Sequence, residues 1–347
     1  MLLSLFANIV TSPYSLVLWL RHKCYDWGIL RSIAVDITVI SIGNITVGGT
    51  GKTPHTELLV RLFSQEVPMA VLSRGYKRTS KGFRYVYCSD SILDVGDEPF
   101  QIKRKFPSVV VAVDTNRTAG IKQIVKDHPH IKLFVLDDAF QYRRLKPKYS
   151  ILLSDYHRPF TQDRLLPLGR LRDLPSRASQ AHIMIVTKTP RQISSSERER
   201  QKKLLKPNPN QQLMFTCYSY GASYPIFPKV THALNQSVGN EHIALTGIAQ
   251  PKPFLNWISA SGTIVQHLKF PDHHHFTKKN IRQINELATK YPNAAIFTTE
   301  KDAVRLMEAS FLSAEAKAKM YCIPIEVDFC AIEERCQFTK IIRALWI

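Results

Sequence analysis

Residues 37–63 read ITVISIGNITVGGTGKTPHTELLVRLF, and this stretch decides the fold. The β-branched run Ile37–Ile42 predicts a buried strand, and the pattern from Thr53 to Ser64 predicts a helix. Between them lies a glycine loop that ends in Gly51-Lys52-Thr53. A strand, a glycine loop, a Lys-Thr pair and a helix in this order are typical of a phosphate-binding loop.

The chemistry of such a loop depends on its backbone. Glycines let N–H groups approach phosphate oxygens, and the helix N-terminus adds partial positive charge. We expect Lys52 to neutralise phosphate charge and the Thr53 hydroxyl to bind Mg²⁺. Thr46 stands where the usual pattern has glycine, and the doubled Gly48-Gly49 resembles the variant loop of the deviant Walker ATPases. The predicted nucleotide-binding residues of the loop are Thr46, Val47, Gly48, Gly49, Thr50, Gly51, Lys52 and Thr53.

A second apolar run ends in two carboxylates. Residues 133–138 read LFVLDD, which predicts a strand followed by Asp137 and Asp138. P-loop proteins bind Mg²⁺ through an acid at the end of a neighbouring strand. We therefore predict that Asp137 and Asp138 bind the metal, although a capped strand end would show the same letters.

The rest of the chain alternates short apolar runs with amphipathic segments, which predicts βαβ units and a parallel sheet. The predicted fold is α/β: a P-loop NTPase-like parallel sheet flanked by helices, a second, smaller α/β lobe and an N-terminal apolar helix. The segment Arg84–Cys88 is expected to be a small hairpin arm outside the main sheet. The predicted organisation is an N-terminal apolar segment (1–31), a core that carries the P-loop (32–190), a polar linker (191–212) and a C-terminal α/β lobe (213–347).

Composition excludes several classes of protein. The 347 residues are 44% hydrophobic, so the chain buries a core and is neither collagen-like nor wholly disordered. Its six cysteines form no C-x-x-C pair, which favours reduced thiols over a disulfide framework. The formal net charge of +19 predicts an anionic partner, which is nucleic acid, an anionic membrane or a phosphorylated substrate.

The first twenty residues contain no charged side chain, and Arg21, His22 and Lys23 follow directly. Pro13 and several polar residues interrupt this apolar segment, and no signal-peptide cleavage pattern is visible. The pattern favours a helix that lies in the membrane interface, with a spanning helix and a buried helix as alternatives.

Seven motifs in order identify the chain as similar to the tetraacyldisaccharide 4'-kinases, the lipid A 4'-kinases of Gram-negative bacteria. The resemblance runs from the N-terminus to about Arg305. The motifs are GGTGKTP (48–54), SRGY (73–76), GDEP (96–99), DDAFQ (137–141), LLPLGRLRD (165–173), DHH (272–274) and TEKD (299–302). Two positions depart from the family pattern, because Ala139 and Tyr142 replace a glycine and a histidine. A third departure is Asp173, which stands where the family has a glutamate.

The resemblance implies that the γ-phosphoryl group of ATP is transferred to the 4'-hydroxyl of a diglucosamine lipid 1-phosphate. It implies that Asp97 is the general base and that His273 pairs with it, although acids at this position would equally serve as helix-start residues. In the same motif context Arg74 and Arg117 suit contacts to phosphate, and Asp173 is a further candidate for binding Mg²⁺.

The implied cofactors are ATP and Mg²⁺, and the implied partners are the acylated lipid substrate and the anionic inner-membrane surface. We expect a peripheral protein on the cytoplasmic face of that membrane, with no nucleic acid and no obligate protein partner. Two alternatives remain at this point: a metal chaperone that uses the histidines at 273–275, and a nucleic-acid-binding ATPase that explains the basic charge. The TEKD motif also resembles the Lys-x-Asp element with which GTP-binding proteins read the base.

Overall fold

The computed structural model describes residues 2–233, 239–248, 250–272 and 274–346. Its strands form two sheets. The strands are β1 Thr38–Gly43, β2 Met69–Ser73, β3 Arg84–Tyr85, β4 Val110–Val113, β5 Leu133–Leu136, β6 Tyr149–Asp155, β7 Ile183–Thr187, β8 Gln212–Tyr220, β9 Tyr224–Pro225, β10 Glu241–Thr246, β11 Thr263–Lys269, β12 Ala295–Thr299, β13 Met320–Ile323 and β14 Ile325–Phe329. The helices are α1 Leu2–Asp26, α2 Lys52–Phe63, α3 Ile92–Val95, α4 Asp97–Lys105, α5 Arg117–Asp127, α6 Ser195–Leu205, α7 Pro228–Ala233, α8 Lys252–Ser259, α9 Lys278–Lys290, α10 Glu300–Met307, α11 Ala314–Ala318 and α12 Ile332–Arg343.

The large sheet has the order β14-β8-β7-β6-β1-β5-β2-β4-β3. Its interior pairs are parallel, and the outermost pairs, β14 with β8 and β3 with β4, are antiparallel. Every residue of β1, β2, β5 and β7 is buried, because helices cover both faces of a parallel sheet. One face packs on α2 and α12 through Phe63 and Phe338, and the other packs on α5 through Ile121.

The predicted site lies at the carboxyl edge of this sheet. β1 lies between β5 and β6, and Ser41 is in register with Leu136. The loop after β1 and the acids after β5 therefore emerge side by side, where parallel α/β sheets bind ligands. Gly43 has no side chain here because a Cβ would lie 2.9 Å from the Cβ of Phe140.

The second sheet has the order β11-β10-β12-β13-β9, and it is parallel except for β9. Helices α9, α10 and α11 pack on one face of this sheet around Ile284, Leu306 and Ala316. α8 packs on the other face through Phe254 and Ile258. These helices and strands are the second lobe.

The structure corrects three boundary expectations. The predicted lobe at 213–347 is too large, because β8, β14 and α12 belong to the large sheet and its core. The predicted linker at 191–212 contains α6, which begins with the Ser194 cap. The arm expected outside the main sheet is β3, which pairs with β4 at the edge of that sheet. The first and third corrections depend on pairing with strands that are distant in sequence, whereas α6 is a local helix.

α1 contains Pro13 and ends against the large lobe. Arg143 donates to the His22 carbonyl at 2.9 Å and to Asp26 at 2.7 Å. The Tyr14 hydroxyl donates to the Arg172 carbonyl at 3.1 Å. Within the described ranges, no helix combines the length and the apolar character needed to span a membrane.

Candidate active site

The glycine loop after β1 is the centre of the candidate site. Gly48 and Gly51 have φ angles of 101° and 86°, in the left-handed region that favours glycine. Gly51 also has no room for a side chain, because a Cβ there would lie 2.0 Å from the Tyr218 hydroxyl oxygen. α2 begins directly after it, at Lys52. The N–H groups of its first turn therefore face the loop, as anion binding requires.

Neighbouring segments fix the loop in place. The Val47 N–H donates to the Arg170 carbonyl at 2.7 Å. Thr46 forms an antiparallel β-bridge with Leu171. Asn44 Nδ2 donates to the Thr50 hydroxyl oxygen at 2.5 Å. The predicted loop residues thus form one ordered unit between β1 and α2.

His55 lies one turn into α2 and contacts the loop backbone. Its Nδ1 lies 2.7 Å from the Gly51 carbonyl oxygen, and its Nε2 lies 2.8 Å from Thr216 Oγ1. Burial lowers the pKa of His55 to about 4, so the ring is neutral. Nδ1–H donates to Gly51, and Nε2 accepts from the hydroxyl of Thr216. The ring therefore connects the loop to β8.

Asp138 meets two cations at the end of β5. Its Oδ2 lies 3.4 Å from Lys52 Nζ, and Arg172 donates to both of its carboxylate oxygens. Burial raises the pKa of Asp138, but the charges of Lys52 and Arg172 outweigh burial and hold the pKa below its ordinary value. Asp138 is therefore ionised and orients Lys52 at the loop.

Asp137 is more deeply buried than Asp138, and nearby cations offset its negative charge less completely. It is buried and accepts a hydrogen bond from the Thr56 hydroxyl at 2.9 Å. Burial raises the pKa of Asp137 to about 7, and the negative charges of Glu98 and Asp138 contribute in the same direction. The contribution of Glu98 shows that the start of α4 lies near this edge. A cation bound beside Asp137 would stabilise its ionised form.

Asp173 has a different environment from the other two acids. It is buried, and its Oδ1 lies 2.6 Å from His22 Nε2 of α1 and accepts from the Leu174 N–H at 2.8 Å. Among the residues that the structure describes, no three His, Cys, Asp or Glu side chains form a group that could hold a metal ion. Asp173 is therefore not brought together with Asp137 and Asp138 in one ligand cluster.

Arg117 and Arg74 lie close enough for their charges to interact. Arg117 is buried, and its guanidinium lies 4.9 Å from the centroid of the Tyr142 ring. Burial lowers the pKa of Arg117, while Tyr142, Asp138 and Asp137 act in the opposite direction. Its Nε is buried and has no hydrogen-bond partner among the described residues. The guanidinium thus lies near both acids, at the same edge of the sheet as the glycine loop.

Asp97 is the first residue of α4, after Gly96 with a φ of 93°. Its Oδ1 accepts from the Glu98 N–H at 3.1 Å, and its Oδ2 accepts from Arg305 of the second lobe. The cavity beside Asp97 has walls from both lobes, formed by Tyr76, Lys77, Ile92, Leu93, Gly96, His275 and Arg305.

His273, predicted to pair with the base, lies outside the described residues. Before it, Asp272 Oδ1 lies 3.1 Å from Lys301 Nζ. After it, His274 stacks on Phe270 with ring centroids 4.7 Å apart. His274 is therefore part of the packing of the second lobe and is not a free metal ligand.

Sequence reasoning missed several residues that hold the site together: Asn44, His55, Arg172, Tyr218 and Arg305. Two of them could have been found from the sequence. His55 is four residues after Gly51, a spacing that places it one helical turn from the loop, and Arg172 lies within the 165–173 motif. Tyr218 and Arg305 reach the site from distant segments and carried no such signal. Glycine loops of this geometry, with a lysine and strand-end carboxylates at one sheet edge, define the P-loop nucleotide-binding proteins.

The sequence comparisons identify a single family within this class of proteins. The family model described as "LpxK: Tetraacyldisaccharide-1-P 4'-kinase" matches residues 3–345. The chain is 45% identical over 322 residues to the tetraacyldisaccharide 4'-kinase of Phocaeicola vulgatus, covering 91% of this chain and 88% of that one. It is 43% identical over 327 residues to the Bacteroides thetaiotaomicron enzyme of that name, covering 91% and 86%. The chain belongs to the tetraacyldisaccharide 4'-kinase family.

The fold comparison agrees with this assignment. The structure is similar to the "apo" form of LpxK from Aquifex aeolicus in complex with ATP, with a TM-score of 0.72 and 23% identity over 100% of both chains. Family membership makes the chain an ATP-dependent kinase that phosphorylates the 4' position of the lipid A precursor. It selects this activity over the metal-chaperone and nucleic-acid alternatives.

Proposed function

We propose that the edge of the large sheet holds the phosphates of ATP and that Asp97 removes the proton from the 4'-hydroxyl of the lipid. The observation that carries this proposal is that α4 presents Asp97 to the interlobe cavity, while its next residue, Glu98, lies within electrostatic range of Asp137. A base and a phosphate-binding edge are thereby joined through one short helix.

In this mechanism Lys52, Arg117 and Arg74 place positive charge around the transferring phosphoryl group. Its transition state is loose and spreads charge over the phosphoryl oxygens, so that positioning and charge stabilisation supply most of the catalysis. The acceptor hydroxyl is a poor nucleophile until its proton is removed. Asp97 accepts that proton, the hydroxyl oxygen bonds to the γ-phosphorus, and ADP leaves. His273 would orient the Asp97 carboxylate.

The residues at the sheet edge also fit Mg²⁺. Mg²⁺ is usually bound by one or two carboxylates together with substrate phosphates. Burial, and then the nearby acids Glu98 and Asp138, raise the pKa of Asp137 to about 7. The negative charge of this carboxyl is therefore not fully balanced by the cations around it. We assign the metal to Asp137 and Thr53, with Asp138 alongside, where it would neutralise phosphate charge. Asp173 is left out of this shell because, among the described residues, it does not form one ligand group with Asp137 and Asp138.

The test is transfer of radiolabel from γ-labelled ATP to a detergent-dispersed tetraacyldisaccharide 1-phosphate. Asp97→Asn preserves shape but removes the proton acceptor, so we expect turnover to fall about 10²- to 10⁴-fold with little change in the KM for ATP. His273→Ala should also be slower, and the double variant should be hardly worse than Asp97→Asn.

The matched control is Asp94→Asn, a half-buried acid in the first turn of the preceding helix α3. If Asp97 only stabilises the start of α4, Asp97→Asn should resemble this control in both turnover and melting temperature, because asparagine is also favourable at helix starts. A fully active Asp97→Asn enzyme would refute the assignment of the base.

We further propose that α1 places the enzyme on the cytoplasmic face of the inner membrane. Leu16, Val17, Trp19 and Leu20 are exposed large apolar side chains, and Lys23 lies 5.8 Å from the Trp19 ring centroid. An apolar face bordered by cations is typical of helices that lie in the membrane interface.

Replacing Leu16, Val17 and Trp19 with serine should therefore reduce cosedimentation with anionic phospholipid vesicles. Salt should reduce binding of the wild-type protein only in part, because apolar burial is not screened. Phe311→Ser is the control, since Phe311 is exposed on the second lobe. Equal sedimentation of the triple variant and this control would contradict the proposal.

A further inference from the structure

The TEKD motif at 299–302 has no role in the mechanism above, and its geometry is not that of a base-reading element. Asp302 is fully buried. Its Oδ2 accepts from the Gly247 N–H and from the Thr299 hydroxyl, each at 2.8 Å. Its Oδ1 lies 3.3 Å from Arg305 Nη1. The carboxylate is therefore fully engaged inside the protein and does not face a nucleotide.

Arg305 extends this contact into the other lobe. Its side chain is only 3% exposed. One terminal nitrogen contacts Asp302, and the other donates to Asp97 Oδ2. A planar guanidinium between two carboxylates has little freedom to rotate, since each terminal nitrogen is directed at its own acceptor. The order Asp302, Arg305, Asp97 thus runs from the core of the second lobe to the interlobe cavity.

α10 contacts α4 at both of its ends. Arg305 binds Asp97, the first residue of α4, and Glu300 lies 2.9 Å from Nζ of Lys105, the last residue. Lys105 Nζ also lies 2.8 Å from Glu57 Oε2 of α2. α10 therefore contributes to both the position and the orientation of α4.

We propose that Arg305, anchored by Asp302, is a positioning residue for Asp97, the general base that acts on the lipid hydroxyl. It directs the Asp97 carboxylate toward the cavity and keeps it ionised, so that α10 takes part in turnover without touching ATP or lipid. This inference rests on the proposed role of Asp97 as the base.

The experiment measures kcat, the KM for ATP and the pH profile of kcat for Arg305→Met and Arg305→Lys. Arg305→Met should lower kcat about 10- to 100-fold, the usual range for losing a hydrogen bond to a charged group. The KM for ATP should change little, because the phosphate edge is intact. The acidic limb of the profile should move to higher pH, because the ionised Asp97 has lost its cation.

Several charged groups near Asp97 remain in these variants. Glu98 is on α4 itself, Lys77 and His275 line the cavity, and Asp302 and Lys301 are on α10. Because these groups are unchanged in the variants, a shift of the acidic limb of the pH profile can be assigned to the loss of Arg305. Arg305→Lys retains the charge, so it should restore the limb while recovering only part of kcat, since one ammonium cannot span both carboxylates.

Arg335→Met is the matched control, because it removes an arginine from an exposed ion pair with Asp328 of 3.5 Å. If Arg305 only holds the lobes together, Arg305→Met will lower kcat and melting temperature with the limb in place, and that result overturns the proposal. Unchanged kcat does so as well. Should Arg305→Met fail to fold, Arg305→Gln takes its place, because glutamine also removes the charge but keeps a hydrogen-bond donor. The acidic limb should again move to higher pH, and an unmoved limb or wild-type kcat in that variant refutes the proposal.

The two hypotheses fail in different ways. A fully active Asp97→Asn enzyme refutes the base assignment, whatever the Arg305 variants do. A slow Asp97→Asn enzyme beside a normal Arg305→Met enzyme refutes the positioning role alone. If both hold, Arg305→Met should add little to the loss in Asp97→Asn, because the two residues act as a unit.

Discussion

The edge of the large sheet that carries the glycine loop (the phosphate edge) and the contact between α10 and α4 belong to one candidate site. They are built from very different spans of sequence. The loop residues from Thr46 to Thr53 are contiguous, and their conformation follows from glycines and a helix start. The contact of Arg305 with Asp97 joins residues 208 positions apart, and that of Glu300 with Lys105 joins residues 195 apart. The first region is thus specified locally, whereas the second exists only after the two lobes have packed.

The difference between the two regions predicts different consequences of mutation. Loss of a charge at the phosphate edge should affect turnover and leave the fold intact. Loss of a charge at the contact between the lobes should affect folding stability as well.

The largest effect is expected for Lys52→Ala. Lys52 supplies positive charge to the transferring phosphoryl group, and losing one such group typically costs about 10²- to 10³-fold or more in kcat. The melting temperature without nucleotide should hardly change, because Asp138 keeps both hydrogen bonds from Arg172. Turnover and thermal melting of the purified variant check this expectation.

Lys148→Ala is the control for that measurement, because Lys148 Nζ donates to the Leu345 carbonyl, away from the loop. Near-normal turnover in Lys52→Ala would contradict the assignment of the phosphate site.

The effect expected for Lys105→Met is on stability, with turnover less affected than in Lys52→Ala. The variant leaves the carboxylates of Glu57 and Glu300 without their shared cation, and breaking a buried pair in this way costs about 3–5 kcal/mol of unfolding free energy. Burial raises the pKa of Glu57 from 4.5 to about 7, and Glu300 adds to this shift. Between these pH values the folded state binds more protons than the unfolded chain, so stability falls as pH rises.

Lys105 lowers the pKa of Glu57, so without it that fall should be larger and extend to higher pH, and the variant should lose more stability at pH 8 than at pH 5. Denaturant unfolding at the two pH values measures the difference. Lys105→Arg is the control, because it keeps the cation. Equal losses at both pH values would show that the charge of Lys105 is not what stabilises this contact.

The sequence predicted most of the elements whose signals are local. β5 is the strand predicted before Asp137, and α2 lies within one residue of the helix predicted from Thr53 to Ser64, because both are encoded within a few residues. The limits of the second lobe were wrong because the membership of β8 and β14 depends on pairing across the whole lobe.

The same distinction applies to the site. Lys52, Asp137 and Asp138 were placed at one edge from the order of motifs alone, and the structure brings them together. Tyr142, noted only as a departure from the family pattern, lies against the guanidinium of Arg117. The contact of Arg305 with Asp97 was not predicted, because nothing near position 97 specifies it. The predicted pairing of Asp97 with His273 stays a prediction, since His273 lies outside the described residues.

The connection between the lobes also determines the order in which the protein can be completed during synthesis. All strands of the second sheet lie between Tyr224 and Ile323, so this lobe is an insertion between β8 and β14. A ribosome adds about 5–20 residues per second, and N-terminal segments generally fold first. Here the second lobe emerges whole before β14 and α12, which close the large sheet. The nucleotide loop is made early, but Arg61 of its helix donates to the Val327 carbonyl, so the lobe that holds the loop is completed by residues translated after the second lobe.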